Sequence, residues 1–379
     1  MARSALMGLV PRDAGRYASE RIRRRPAPPV QAGALDLCIE WLCRSHDVTG
    51  RRGSSKGYSL LHGWLPAYPE TTGYVLGTLL RYGERAGGRP DLEARALEMG
   101  AWEAEVQEAD GGIMEGHVET SPRRSIVFNT GQVLHGWVDL LERGHEDCAA
   151  AAERAGDFLV SRMEPDGTWD PDAEYAAIPH TYNSRVAWAM VRWGLHSGSD
   201  AAIEAAARQL DWVCAQQDAD GWFRNCAFKP GGTPSTHGLA YTLRGLLESH
   251  ALLGRAEWLE AAVRGSEPLI RKLEELPLLV ANYERGWRPA ARHACLTGTV
   301  QLGGVWLRLH ALTGEGRFRE AGLRAVEQGA AHQQRRGSAD LRGALAGSFP
   351  IWGRYAPLQY PNWATKFLAD SLMLYADAG

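Results

Sequence analysis

Apolar residues recur along most of this chain at intervals of three and four positions, which is the spacing of amphipathic α-helices. Strand-like alternation nowhere extends beyond a few residues. Segments rich in Ala, Glu and Arg carry a polar face and predict half-solvated outer helices, near residues 35–46, 91–107, 147–163, 200–217, 255–275 and 316–334. More apolar segments alternate with them and predict buried inner helices, near residues 71–82, 130–143, 182–195, 237–252, 297–312 and 362–376.

A short polar motif begins each apolar segment and repeats at intervals of roughly 50–65 residues, which indicates a repeat architecture. The six starts are Thr72-Gly73, Thr130-Gly131, Thr181-Tyr-Asn183, Thr236-His-Gly238, Thr297-Gly298 and the diverged Pro361-Asn-Trp-Ala364. Six helical hairpins in this alternation close most simply into an all-α (α/α)6 toroid. We therefore predict a single toroid domain over residues 32–379, preceded by an Arg- and Pro-rich arm over residues 1–31.

The loops are asymmetric, and this asymmetry predicts where a site lies. Tight glycine turns follow the inner segments, whereas long loops precede them, at residues 108–129, 164–180, 218–236, 276–296 and 335–361. In an alternating ring all the long loops share one face, and long loops on a rigid scaffold commonly carry function. That face also gathers six helix N-termini, which favour a bound negative group. We expect the site in the funnel at the N-termini of the inner helices.

Composition narrows the classes of partner. Formal net charge is -3 and no basic stripe follows Arg21–Arg25, which argues against a nucleic-acid partner. No apolar run reaches the length of a membrane span or, in the first 35 residues, of a signal peptide, so we expect a cytoplasmic protein. The oligomeric state stays open. We expect no cofactor and no metal, although Cys295, as a nucleophile or grouped with Cys226 and His237 around zinc, remains an alternative to a buried free thiol.

The exits of the outer segments carry a recurring motif. They read Gln107-Glu-Ala-Asp-Gly-Gly, Met163-Glu-Pro-Asp-Gly-Thr-Trp169 and Gln217-Asp-Ala-Asp-Gly-Trp-Phe223. This pattern resembles the Gln-x-x-x-Gly-x-Trp repeat of terpenoid cyclase and protein prenyltransferase toroids. It is also similar to the exits of six-hairpin glycosidases and related polysaccharide-active toroids. The resemblance covers the chain from about Leu35 onward and implies the toroid fold; a plain β-turn with its Trp folded over the helix end is the alternative for each copy.

The segment His180-Thr-Tyr-Asn-Ser-Arg185 is the strongest catalytic candidate. Tyr182 and Arg185 are three residues apart and share a helix face, and Asn183 stands where most repeats have Gly. In residue type the segment resembles the sites of toroidal uronate lyases and C5-epimerases, in which polar groups neutralise a sugar carboxylate while Tyr or His moves a proton. Helix capping is the structural alternative. His237 and Tyr241 repeat the theme at the next inner segment.

Further candidates come from the loops. Asp170 and Glu284 are the candidate catalytic carboxylates, because neighbouring aromatic residues can stack a sugar and raise a carboxyl pKa; a solvated turn acid is the alternative. The remaining candidates for substrate binding are polar or aromatic residues at or near inner-helix starts: Glu70, Asn129, Gln132, Trp169, Trp222, Tyr241, Trp287, Trp363 and Lys366.

Together these features predict a carbohydrate-active enzyme that acts on an anionic or uronate-bearing sugar or glycoside by hydrolysis, β-elimination or epimerisation. A terpenoid-cyclase-like enzyme is an alternative, although Asp170-Pro-Asp-Ala173 and Asp218-Ala-Asp-Gly221 each lack the last residue of the Asp-x-Asp-Asp motif of such cyclases. A non-catalytic glycan-binding toroid is a third hypothesis.

Overall fold

The structure is a computed structural model that describes residues 28–379. Within that range the chain forms twelve α-helices: α1 Ala34–Asp47, α2 Pro69–Arg85, α3 Pro90–Val106, α4 Val127–Leu141, α5 Ala149–Ser161, α6 Ser184–Ser197, α7 Asp200–Ala215, α8 Thr236–Leu253, α9 Ala256–Glu275, α10 Leu296–Thr313, α11 Gly316–Ala330 and α12 Asn362–Ala378. Most of the arm predicted over residues 1–31 lies outside the described residues, and residues 28–31 form neither helix nor strand.

The even-numbered helices form a closed inner ring. They pack against one another in chain order, and α12 packs against α2. Each is covered by the odd-numbered helix that follows it, and α1 covers α12. The predicted (α/α)6 toroid is therefore confirmed, with helix ends that differ from the sequence pattern by a few residues. None of these twelve helices is long and apolar enough to cross a membrane.

Glycines let the inner helices approach each other at backbone distance. A Cβ atom added to Gly73 would lie 2.4 Å from the Cα atom of Val133, and one added to Gly245 would lie 2.3 Å from the carbonyl carbon of Ser184. Neither backbone could tolerate that contact. The absence of a side chain at these positions thus sets how closely neighbouring inner helices pack, and with it the diameter of the ring.

Glutamine side chains connect successive outer helices. The amide of Gln107 donates to the carbonyls of Gly111 and Ala151, at 2.8 and 2.9 Å. Gln217 makes the equivalent hydrogen bonds two hairpins later. Gln333 donates to Ala34, at 2.9 Å, and thereby links the last outer helix to the first. The Gln-x-x-x-Gly motif therefore satisfies the turn that ends one outer helix and the backbone of its neighbour.

Threonines at the starts of inner helices hold the long loops. Thr72, Thr130 and Thr365 each accept a loop amide through Oγ1, at 2.8, 2.8 and 3.0 Å. Short antiparallel strands add to these contacts around the N-terminal mouth of the ring: β1 Gly57–Ser59, β2 Gly63–Trp64, β3 Ile113–Met114, β4 Ser125–Ile126, β5 Tyr283–Glu284, β6 Arg288–Pro289, β7 Ala294–Cys295, β8 Ser348–Phe349 and β9 Gln359–Pro361. β1 pairs with both β2 and β9, so the first and last long loops are joined.

We expect Gly73→Ala to lower the free energy of unfolding by about 1–3 kcal/mol, because the new methyl group overlaps the backbone of α4. Urea denaturation monitored by circular dichroism measures the change. Gly316→Ala is the matched control, because no heavy atom lies within 4 Å of its added Cβ. Equal effects of the two substitutions would contradict the close-packing role of Gly73.

Candidate functional site

An aromatic cluster fills the N-terminal end of the ring. The His180 ring stacks on Tyr182 at 4.4 Å between centroids, and Tyr182 contacts Phe128 edge to face at 5.3 Å. Phe128 contacts Tyr241 at 5.4 Å, which contacts His237 at 4.3 Å. These side chains come from α4, α8 and the loop before α6. The structure thus brings the sequence candidates His180, Tyr182, His237 and Tyr241 together, and all four are buried.

Two members of the strongest sequence candidate hold backbone and loop groups. The ring nitrogens of His180 lie 2.7 Å from the carbonyl oxygen of Tyr175 and 3.0 Å from that of Ala227. The amide of Asn183 donates to both carboxylate oxygens of buried Glu174, at 2.9 and 2.8 Å. Neither His180 nitrogen is free to take a proton from a ligand, and Asn183 anchors the loop that precedes α6. These contacts favour structural roles for both residues.

His237 is held as a neutral imidazole. Its Nδ1 lies 2.5 Å from Oε1 of Gln301, and burial lowers the pKa of His237 to about 3. The Gln301 oxygen can only accept, so Nδ1 carries the proton and Nε2 carries the lone pair. Such a weakly basic ring can accept a hydrogen bond but is a poor proton acceptor near neutral pH.

Arg185 is enclosed by aromatic rings at the centre of the inner ring. Its guanidinium lies 5.3 Å from the centroid of Tyr241 and 5.7 Å from that of Phe367, with Tyr74 and Trp188 at similar distances. Nε donates to Oε1 of Gln132 at 2.5 Å, and no carboxylate of residues 28–379 forms an ion pair with it. Burial lowers the pKa of Arg185, but a guanidinium stays charged in proteins. A buried cation without an anion is costly, so Arg185 is suited to bind an external anion.

Arg185 faces a central cavity of about 720 Å³, within the usual range for small-molecule sites. The cavity begins near the N-terminal ends of the inner helices, at Tyr74 and Arg185, and continues toward their C-terminal ends. Of the predicted site residues only Arg185 and Lys366 line it. The funnel expected from the sequence thus corresponds to the upper end of this cavity, and most of the cavity extends to the opposite side.

Two titratable groups accompany Arg185. Burial lowers the pKa of Lys366 to about 7, with Arg185 adding repulsion and Asp370, at 2.6 Å, opposing the shift. Glu70 lies partly exposed on the first turn of α2, and burial raises the pKa of its carboxyl, opposed by the positive charges of Lys56 and Arg185. Tyr74 connects the two regions, because it lines the cavity and the charge of Glu70 contributes to its raised pKa.

The lower part of the cavity is lined by ion pairs. Asp139 lies between Arg81 and Arg192, at 3.2 and 2.7 Å. Glu248 lies between Arg244 and Arg308, at 2.8 and 2.9 Å. These charged residues were not among the candidates predicted from the sequence. Two features of the sequence could have identified them. They are charged residues within otherwise apolar helices, and each follows by seven residues a position that faces the ring centre.

The two carboxylates proposed from aromatic neighbours lie outside the cavity, and nothing in the structure supports a catalytic role for them. Asp170 accepts from the backbone of Asp172 at 2.9 Å and pairs with Arg162 at 3.0 Å. Glu284 is exposed on the β5–β6 hairpin and pairs with Arg288 at 3.0 Å. Both are turn acids, which was the alternative weighed for them. Although each carboxylate has an aromatic neighbour in sequence, neither lies in a closed site.

The tryptophans proposed as sugar platforms are mostly buried. Trp169 is 1% exposed, and Trp222 and Trp287 pack edge to face on each other at 5.3 Å. Trp363 is partly exposed at the start of α12 and donates to the hydroxyl of Tyr355 at 2.7 Å. Asn129 donates to the carbonyl of Met114 at 2.6 Å. Trp169, Trp222 and Trp287 therefore stabilise the fold, and Trp363 alone of these four lies where a ligand at the mouth could reach it.

Cys295 is a buried cap. Its sulfur accepts from the backbone of Gly298 at 3.2 Å, and burial raises the pKa of the thiol to about 12. A helix N-terminus favours a thiolate, but at Cys295 desolvation outweighs that effect. No group of three His, Cys, Asp or Glu residues within the described range is placed to hold a metal ion.

Comparison with known proteins supports the architecture. The family model of the squalene-hopene cyclase C-terminal domain matches residues 124–253, a segment that contains α4 to α8. No curated protein sequence matches the chain.

Several solved structures share the whole fold. An unsaturated glucuronyl hydrolase specific for heparin has a TM-score of 0.70 and 14% identity, and the match covers 91% of this chain and 96% of that one. The unsaturated glucuronyl hydrolase of Bacillus sp. GL1, responsible for the degradation of glycosaminoglycan, has a TM-score of 0.68 and 15% identity, with 90% and 95% covered. A D-mannose isomerase has a TM-score of 0.66 and 10% identity, with 90% and 98% covered. These similarities show that the chain has the (α/α)6 toroid fold.

Proposed function

We propose that this protein is an enzyme that acts on an anionic, uronate-bearing sugar or glycoside bound in the central cavity. The observation that carries the proposal is Arg185, a guanidinium that is 5% exposed, faces the cavity and has no carboxylate partner among the described residues. A sugar carboxylate supplies the missing negative charge. The aromatic rings around Arg185 offer apolar faces against which a pyranose ring can pack.

The proposed chemistry needs a group that can donate a proton near the bound sugar. Burial raises the pKa of Glu70, which favours the protonated carboxyl that a general acid requires. Lys366 has a lowered pKa and can exist as a neutral amine in the same pH range. Glu70 and Lys366 both lie near Tyr74, and neighbouring groups whose pKa values are shifted in opposite directions are typical of acid–base sites. The similarity to unsaturated glucuronyl hydrolases and a sugar isomerase is consistent with such chemistry, and leaves hydrolysis, elimination and epimerisation open.

A terpenoid-cyclase-like enzyme is the second candidate, because a cyclase family model matches residues 124–253. The cavity argues against it. Seven cationic and five acidic side chains line the wall, whereas a carbocation requires an apolar, aromatic enclosure. Arg185 would also repel a carbocation at the one place where aromatic rings are concentrated. The sugar-binding proposal uses that charge, and the cyclase proposal has no role for it.

We expect Arg185→Gln to weaken binding of D-glucuronate by about 10- to 100-fold, since hydrogen bonds to charged groups contribute about 1.5–3 kcal/mol. Isothermal titration calorimetry measures the change, with D-glucose as the neutral ligand. Arg271→Gln is the control, because the Arg271 side chain is 62% exposed on an outer helix. Unchanged glucuronate affinity in Arg185→Gln would refute the proposed anchor.

We expect Glu70→Gln to reduce kcat by about 100-fold or more, the usual contribution of a general acid, with a smaller effect on KM. The assay uses a panel of glucuronides and unsaturated uronyl disaccharides, and follows whichever substrate the wild-type protein converts. Glu260→Gln, at an exposed position of α9, should retain full activity. A wild-type kcat in Glu70→Gln would rule out this carboxyl as the acid, and binding without turnover by the wild-type protein would favour a glycan-binding role.

We expect Lys366 to titrate with a pKa of about 7, because burial and neighbouring guanidinium groups disfavour its charged form. The chain has four lysines, Lys56, Lys229, Lys272 and Lys366, so the Cε signals of ¹³C-lysine-labelled protein can be followed by NMR from pH 5 to 11. Lys366→Arg assigns the signal by its loss. A midpoint near the ordinary lysine value of about 10.4 would show that Asp370 fully compensates for burial.

A further inference from the structure

The inward-facing side chains of the inner helices form two tiers two helical turns apart, and Tyr74, Arg185 and Gln301 of the upper tier line the cavity. The upper tier consists of Tyr74, Gln132, Arg185, His237, Tyr241 and Gln301, and the residues seven positions later form the lower tier: Arg81, Asp139, Arg192, Arg244, Glu248 and Arg308. Residues seven apart share a helix face, and the axial rise of seven residues is about 10 Å. The repeat therefore places a second layer of polar groups below the Arg185 site.

The lower tier carries more positive than negative charge. Its two carboxylates, Asp139 and Glu248, each lie between two arginines. Two further acids contact these arginines: Glu142 pairs with Arg192 at 2.6 Å, and Asp370 pairs with Arg81 at 3.4 Å. The other acids that line the cavity are also paired: Asp370 with Lys366, Glu84 with Arg143 and Asp377 with Arg85. In addition, Nε of Arg244 is buried and has no hydrogen-bond partner among residues 28–379. With Lys366 included, five cations face four carboxylates. The lower tier thus has unused donor capacity and an excess of about one positive charge.

The partial negative charges at the helix C-termini do not neutralise this excess positive charge. The partial negative charge of a helix C-terminus acts within the last turn. Arg81 lies four residues before the end of α2, Arg308 lies five before the end of α10, and Arg244 lies nine before the end of α8. These side chains face the cavity from more than one turn inside the ring.

We propose that the lower tier binds a phosphate-type dianion, with Arg308 and Arg192 among its ligands. A guanidinium presents paired N–H donors that match phosphate oxygens. A phosphate monoester carries more than one negative charge at neutral pH, which is enough to offset the excess positive charge of the lower tier. The inference rests on the proposed function in one respect: if Arg185 anchors a sugar carboxylate, the dianion below it can be a phosphate group on the same sugar. The other source of the same chemistry is free inorganic phosphate.

Calorimetric titration with inorganic phosphate, at an ionic strength held constant with sodium chloride, tests the site. We expect saturable one-site binding by the wild-type protein and at least a tenfold loss of affinity in Arg308→Gln and in Arg192→Gln. Each variant leaves its buried carboxylate, Glu248 or Asp139, paired with one remaining arginine. Arg192→Gln also removes the partner of Glu142, whose side chain is 44% exposed. The fold should therefore persist, and the circular dichroism spectrum checks this. Arg271→Gln should bind phosphate like the wild-type protein.

A second arm distinguishes the two sources of the dianion. Glucuronic acid 1-phosphate that binds more tightly than inorganic phosphate, and loses affinity in both Arg185→Gln and Arg308→Gln, assigns the dianion to the substrate. Equal affinities with loss in Arg308→Gln alone assign a phosphate site that is independent of the sugar. Phosphate binding that is no tighter than chloride binding, or that falls equally in Arg271→Gln, overturns the proposal. In that case the effect of Arg185→Gln on D-glucuronate binding still tests the proposed function separately.

Discussion

Backbone contact between neighbouring inner helices is the constraint on which the rest of this structure depends. Gly73 and Gly245 lie where an added Cβ would overlap the next helix, and similar small residues recur around the ring. Helices that pack this closely place their inward-facing residues near one another across a narrow centre. Both the aromatic cluster at the mouth and the ion pairs below it follow from this geometry, because each requires side chains from several helices to meet.

Once the ring is narrow, its centre can be filled in two ways. At the N-terminal end aromatic rings fill it, and few polar groups have to be desolvated for these rings to pack. Farther along, long charged side chains line it without filling it, because they form ion pairs with one another along the wall. Arg185 lies at the boundary between the two regions. Its surroundings are apolar, yet its charge faces the open side, which makes it the natural contact for an anionic ligand.

The sequence predicted the fold well because the fold is encoded locally. Helix periodicity, glycine turns and threonines at helix starts recur in each repeat, and each acts on residues close in sequence. Of the residues that line the cavity, Arg185 and Lys366 were among the sequence candidates, whereas Arg81 and Arg308 were not. Asp170 and Glu284 were selected for their aromatic neighbours, and the structure pairs them with nearby arginines. What a sequence does not show is which side chains from distant helices meet across the ring, and this decides where charge remains unpaired.

The amide of Gln333 bonds the carbonyl of Ala34 in the same way that Gln107 bonds that of Ala151. The seam between the first and last hairpins is therefore chemically equivalent to the joints inside the ring. No peptide bond crosses this seam, so noncovalent contacts alone close the ring there. A circularly permuted protein, opened at one of the tight glycine turns and fused across the original termini, should assemble the same toroid.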